Sequence, residues 1–265
     1  MNESENDMKI IDKKGLKIIY SPKGRALEYA DYALNLSNSC SFGCKYCYVP
    51  AVLHKDRNEF HTIDALRKDV LEKVEHDAKL VVGKAILLCF TCDCYQDIDQ
   101  ELQLTRKVME IFNRYGVNWI VLTKGGTRAI RDFDLYKPGD SFGSTLTFTS
   151  TDDSRKWEPN AAIPMNRIAA LNYAHKNGIK TWVSMEPVLD PEQTLELISL
   201  THDFVDLYKV GKLNSDNCRG SEHYEELKKI ERTIDWRSFG RSAEIMLKGY
   251  GKEFYIKEDL QRYMK

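Results

Sequence analysis

The stretch that most constrains this chain is Cys40-Ser-Phe-Gly-Cys44-Lys-Tyr-Cys47-Tyr48. Three cysteines at Cys-x3-Cys-x2-Cys spacing follow an apolar run, Tyr32 to Leu36. Thiolates this close in one loop can converge on one metal centre, and iron–sulfur clusters are held by cysteine thiolates. A [4Fe–4S] cube bound by three cysteines keeps one iron without a protein ligand, open to a substrate or cofactor. Gly43 gives the loop freedom where its backbone must wrap tightly. A zinc site is the competing reading. Zinc takes four ligands, typically as two paired sets, but the next cysteine is Cys89, and His54 and His61 form no ligand-like pair. The expected metal ligands are Cys40, Cys44 and Cys47.

A chain of 265 residues suits one large domain, a size common among α/β barrels. With 39 basic and 40 acidic residues the net charge is −1, which gives no overall basic footprint for nucleic acid and leaves only a local patch. No apolar run approaches the roughly 18 residues of a membrane span, and the polar start MNESENDMKI is no signal peptide. Seven cysteines without a secretion signal then imply a reducing, cytoplasmic setting with metal or redox use.

Residues 1–15 read as a disordered tail, and 16–265 as a single domain with a C-terminal extension. Short apolar runs predict strands at Tyr32–Leu36, Ala85–Thr91, Trp119–Thr123, Ser144–Thr149, Thr181–Met185 and Val205–Val210. Apolar residues spaced by three and four predict helices between them, over 63–78, 98–115, 165–176, 191–200 and 222–234. Six βα units make an α/β fold, a partial (β/α)6 TIM-like barrel with the cluster loop after its first strand. Barrel active sites form at the carboxyl ends of strands. The residues that end the other strands, Thr91 to Asp93, Thr123 to Gly125 with Lys124, Thr147 to Ser150, Glu186-Pro187 and Lys209 to Lys212, are therefore expected to face the cluster. Cys89-Phe-Thr-Cys92-Asp-Cys94 reads as buried or active-site thiols, or as a second metal site with Cys218.

The Cys-x3-Cys-x2-Cys loop, with aromatic Tyr46 before its last cysteine, resembles the radical S-adenosylmethionine superfamily. The resemblance implies that the open iron chelates S-adenosylmethionine and that an electron from the cluster cleaves it to a 5′-deoxyadenosyl radical, which abstracts hydrogen from a substrate. It also implies an electron donor such as flavodoxin or ferredoxin. Within the superfamily the chain resembles the spore photoproduct lyase family, also called DNA-repair-photolyase-like. The matching pieces run in order: Cys40–Tyr48, Thr91–Asp93, Leu122-Thr123-Lys124, Trp157-Glu158-Pro159, Arg167 with Ala170, Gly178-Ile179, and Gly249–Lys252 with Tyr255. By that likeness Tyr46, Lys124 and Thr147 fall on cofactor-contacting positions, and Tyr46 and Tyr48 match a tyrosine pair for hydrogen relay. Nucleic acid is the substrate class the likeness favours.

One position departs from the family. Where the lyase carries a hydrogen-donating cysteine, spacing puts Phe90, between Cys89 and Cys92. A phenyl ring has no transferable S–H hydrogen, so Cys89 and Cys92 become the candidate catalytic thiols beside Tyr46 and Tyr48. The alternative function is a non-catalytic iron–sulfur or zinc module that binds nucleic acid. The Lys248–Lys257 stretch, basic and aromatic by turns, suits either nucleotide contact or a strand and helix that close the barrel.

Overall fold

A computed structural model describes residues 15–62 and 65–265. Ile63 and nearly all of the predicted tail lie outside the described residues. Seven strands form one all-parallel sheet in sequence order. They are β1 (Tyr32–Leu34), β2 (Ala85–Leu88), β3 (Asn118–Thr123), β4 (Ser141–Thr145), β5 (Lys180–Met185), β6 (Leu207–Val210) and β7 (Glu253–Ile256). All six predicted strands are present, though β2 stops at Leu88 rather than Thr91 and β4 covers Ser141–Thr145 rather than Ser144–Thr149. The seventh comes from the C-terminal extension and pairs with β6 through Val210 and Ile256. The extension therefore completes the sheet.

Side-chain alternation divides the strands into two faces. Ile86, Leu88, Trp119, Val121, Val183, Met185, Tyr208 and Val210 pack in the principal core. The intervening residues Ala33, Leu87, Ile120, Leu122, Trp182 and Leu207 form a second cluster on the opposite, inner face. Gly143 on β4 is required there, because a Cβ at this position would lie 2.3 Å from the Trp182 ring.

Two helices differ from their predicted bounds for local reasons. The stretch 98–115 is two helices, Asp97–Leu102 and Leu104–Tyr115. Gln103 between them has φ 49°, and the Asp99 carboxylate accepts the Thr105 amide at 2.8 Å, replacing a helical partner. The helix predicted over 63–78 begins at Val70. Before it, Leu66 bridges to Ser37, and the Arg67 amide donates to the Leu36 carbonyl, so this segment lies along the exit of β1.

The sheet is open between β1 and β7, and an N-terminal strap crosses the opening. Asp77 accepts the amides of Lys17, Ile18 and Ile19. Tyr20 then pairs antiparallel with Ala33 of β1. Beyond a 3-10 turn at Gly24–Glu28, Glu28 and Tyr29 reach the β6–β7 side, where Lys209 donates to the Glu28 carbonyl at 2.6 Å. The strap ties the two edges of the sheet together.

Candidate active site

The cysteine loop leaves β1 and is held by its backbone from several directions. The Cys40 amide donates to the Phe60 carbonyl, and the Lys45 amide to the Trp157 carbonyl. Gln96 accepts the Ser41 amide at 2.9 Å, and Asn160 donates to the Ser41 carbonyl at 2.8 Å. Arg57 donates to the Cys47 carbonyl at 2.6 Å, Ser221 to the Lys45 carbonyl at 2.9 Å, and Cys218 to the Tyr46 carbonyl at 3.0 Å. Gly43 sits at φ 64°, the conformation its lack of a side chain allows. Most of these partners are side chains far away in sequence. Their spending on loop carbonyls and amides leaves the thiols of Cys40, Cys44 and Cys47 outside the clamp.

All three thiols are free of disulfides. Burial pushes Cys40 well above the ordinary thiol range and Cys44 up to about 12, with the Lys124 ammonium pulling Cys44 back. Thiolates in such surroundings need an added positive centre, which iron supplies. Among the described residues no three His, Cys, Asp or Glu side chains close on a point as for a single ion. In a cuboidal cluster each thiolate goes to its own iron, so the three need not meet at one point. The donor set therefore fits a cluster.

Behind the loop lies a fully buried ion pair. Glu158 and Arg167 are each 1% exposed, and their side chains meet at 2.6 Å. The Tyr46 hydroxyl donates to Glu158, and Thr147 donates to the same oxygen at 3.2 Å. Burial alone would lift the Glu158 carboxyl. Arg167, Lys124 and the hydrogen bonds outweigh it and hold Glu158 below its usual range. Tyr46 is thus fixed at its far end while its ring faces the Lys124 ammonium, 5.7 Å from the ring centroid. Asp93 is a clamp of another kind. It accepts the Thr123 hydroxyl at 2.6 Å and the amides of Tyr95 and Lys124 at 2.9 and 2.7 Å, locking the exits of β2 and β3 together.

The inner face carries aromatic and charged groups that the principal core lacks. Phe90 stands 5.7 Å from Tyr29 and 6.5 Å from Tyr48, and Tyr29 stands 6.1 Å from Trp182, measured between ring centroids. The Tyr29 hydroxyl donates to Glu186 at 3.0 Å. Lys257 binds Glu186 and lies 3.2 Å from Glu28. Phe90, Tyr29, Tyr48, Ile120, Leu122 and Lys209 are all partly exposed, whereas the core faces of the same strands are buried. The lumen of the open barrel is thus accessible to solvent.

The structure brings Tyr46, Lys124, Thr147 and Asp93 together at one rim with the cysteine loop. Glu186 and Tyr48 belong to the lumen. Thr91 is held at its amide by the buried Asn35, which also takes the Phe90 amide, both at 2.8 Å. Cys89, Cys92 and Cys94 join the principal core, while Phe90 turns to the lumen. Cys218, on the Tyr46 carbonyl, makes no common site with them. Sequence reasoning assigned no role to Asn35 or Tyr29, read Lys257 only as part of the Lys248–Lys257 stretch, and named Glu158 and Arg167 only as matching residues. The signal available was a charged or polar residue inside an apolar run, as at Asn35 and Lys209.

An open parallel barrel with its polar groups at the strand exits and a solvated lumen defines an α/β-barrel enzyme that works at the carboxyl ends of its strands. The profile of the Radical SAM superfamily matches residues 34–205, well over half of the chain, and the chain belongs to that superfamily. Its cofactors are a [4Fe–4S] cluster and S-adenosylmethionine. An uncharacterized protein of Methanocaldococcus jannaschii is 26% identical over 201 residues, which cover 74% of this chain and 76% of that protein. Spore photoproduct lyase complexed with dinucleoside spore photoproduct superposes with TM-score 0.69 at 14% identity, over 92% of this chain and 80% of the lyase. Streptococcus suis SuiB bound to S-adenosylmethionine superposes with TM-score 0.59 at 13% identity, over 84% of this chain and 49% of SuiB. At these identities the structural likenesses speak for the fold.

Proposed function

We propose that Cys40, Cys44 and Cys47 hold the cluster through its three protein-bound irons, and that the enzyme takes a hydrogen atom from a substrate seated in the lumen. The observation that carries this reading is the cysteine loop, clamped through its backbone with its three thiols free of disulfides, at the mouth of the lumen. When bound, the two cofactors supply reductive carbon–sulfur cleavage and, from it, a hydrogen-abstracting carbon radical. The protein binds, orients and excludes side reactions. Lys124 pairs with the cofactor carboxylate. Tyr46, fixed by Glu158, presents its ring beside the adenine. Thr147 is spent on Glu158 and Asp93 on three donors, so both act by holding Tyr46 and Lys124 in place. Thr91 borders the same rim.

Tyr48, Phe90 and Glu186 face the substrate from the lumen. Phe90 places a phenyl ring where the lyase likeness calls for a thiol, and Cys89 and Cys92 pack behind it. Repair of a thymine dimer therefore lacks its hydrogen donor here. Nucleic acid is the substrate class favoured by family likeness, and a one-electron carrier such as flavodoxin or ferredoxin is the reductant, in the cytoplasm.

The test is anaerobic incubation of reconstituted protein with dithionite and S-adenosylmethionine, with products separated by chromatography. Slow release of 5′-deoxyadenosine is expected without substrate. Added dinucleoside spore photoproduct should yield little repaired thymine. A verified four-iron protein that releases no 5′-deoxyadenosine would favour the binding-module alternative, and efficient repair would overturn the Phe90 argument.

A further inference from the structure

The four charged side chains in the lumen are not paired one to one. Lys257, itself buried, takes both carboxylates, Glu186 and Glu28. Glu28 also accepts the Tyr255 hydroxyl at 3.1 Å. Lys209 is left without a carboxylate within ion-pair distance among the described residues. Its ammonium reaches only the backbone carbonyls of Glu28 and Tyr29, at 2.6 and 3.5 Å. It also lies over two ring faces, 4.9 Å from the Tyr29 centroid and 5.4 Å from that of Trp182. A half-buried ammonium without a paired carboxylate is costly to desolvate. Lys209 stands within an otherwise apolar strand, Leu207-Tyr208-Lys209-Val210, and its hydrogen bond to the Glu28 carbonyl ties the strap to β6 without supplying a negative charge.

We propose that Lys209 is the anion seat of the lumen, and that the substrate is a ring-bearing compound whose carboxylate or phosphate docks on its ammonium while the ring lies against Phe90, Tyr29 and Trp182. This deepens the proposed function by naming the chemical class that its lumen takes. The side chain is partly exposed, so an anion can reach it without unfolding the barrel. Burial and the neighbouring Lys257 bring its ammonium down to about 8, with Glu28 opposing them. The groups that face it are Glu28 and Tyr29 from the strap, Glu186 beyond β5 and Lys257 beyond β7. The two ammoniums and two carboxylates balance in formal charge, but both carboxylates lie on Lys257, so an arriving anion would meet the Lys209 ammonium directly.

The experiment uses the reconstituted holoprotein with three probes of one ring and different heads: phenyl phosphate, benzoate and benzyl alcohol. Binding is followed by calorimetry. At neutral pH the anions should bind at least about tenfold more tightly than the alcohol, within the roughly 10- to 150-fold range of a hydrogen bond to a charged group. The stronger of the two anions identifies the head group. Lys209→Met should abolish the preference and Lys209→Arg should keep most of it, while Lys180→Met, at the far end of β5, should leave it intact. In the unmodified protein the preference should fall as pH rises past about 8 and the ammonium loses its proton. This arm needs no substitution, so it decides the matter even if Lys209→Met does not fold. Equal binding of all three probes, or an anion preference that survives in folded Lys209→Met, would overturn the assignment. Iron content and 5′-deoxyadenosine release from the same preparation are read separately. An anion seat in a protein that holds no four-iron cluster would sustain Lys209 and refute the proposed function.

Discussion

Replacing Arg167 by Met should destabilise the protein more than any surface change, because it strands Glu158. The pair is sealed from water, with side-chain exposures of 1% and 0%. Arg167 also donates to the carbonyls of Ala162 and Thr145, at 2.6 and 3.1 Å, and these lose their partner too. Breaking such a pair from one side costs about 3–5 kcal/mol. For a domain of this size that corresponds to a melting temperature lower by roughly 6–20 °C. The pH dependence follows from linkage. In the native protein Glu158 is held below its unfolded value, so its contribution is present above that value and is lost as pH falls through the folded one. In the Met variant burial dominates and lifts the folded value above the unfolded one. The penalty is then largest at neutral pH and fades on acidification. The stability gap between native and variant protein should accordingly narrow from pH 7 to pH 5. Adding Glu158→Gln to the variant removes the stranded charge and should recover part of the loss at pH 7, which a double-mutant cycle measures. A drop of less than about 1 kcal/mol, or a gap that does not change with pH, would refute the account of Tyr46 as fixed by a charged anchor.

Changing any one of Cys40, Cys44 and Cys47 to Ala should abolish four-iron loading and the absorbance near 400 nm, whereas Ala at Cys89, Cys92, Cys94 or Cys218 should leave iron content unchanged. Lys124→Ala should weaken S-adenosylmethionine binding roughly 10- to 150-fold, the value of a charged hydrogen bond, with the cluster retained; unchanged affinity by titration would remove Lys124 from the cofactor site. Asp77→Ala should release the strap at its start, since three amides lose one acceptor, and hydrogen exchange at Ile18 and Ile19 should rise sharply. In the native protein His76 and those amides outweigh burial and keep the Asp77 carboxyl low, so this anchor should weaken only as pH falls below the ordinary carboxylate range.

Much of the site was legible locally. The cysteine spacing, the glycine between the first two cysteines and the polar residues at strand ends are short-range patterns, and the rim residues Lys124, Asp93 and Thr147 follow from strand exits in a parallel barrel. The six strands were equally local, because each is an apolar run that one face of a sheet must bury. What the chain alone left open depends on which distant residues meet. Glu158 and Arg167 look like surface charges until folding brings both against Tyr46, with no water to compete. Asp93 and Thr147 stand at the rim as expected, but only tertiary neighbours show that their oxygens are already spent. The strap, whose Tyr29 enters the lumen from 155 residues before its partner Ser184, has no periodic signal. The inward turn of Phe90, and the packing of Cys89 and Cys92 in the core, were decided past the end of β2, where Asn35 grips the amides of Phe90 and Thr91. Lys209 was visible as a lysine in an apolar strand. Its lack of a counter-ion is a property of the assembled barrel, because Lys257, just past the last strand, takes both carboxylates.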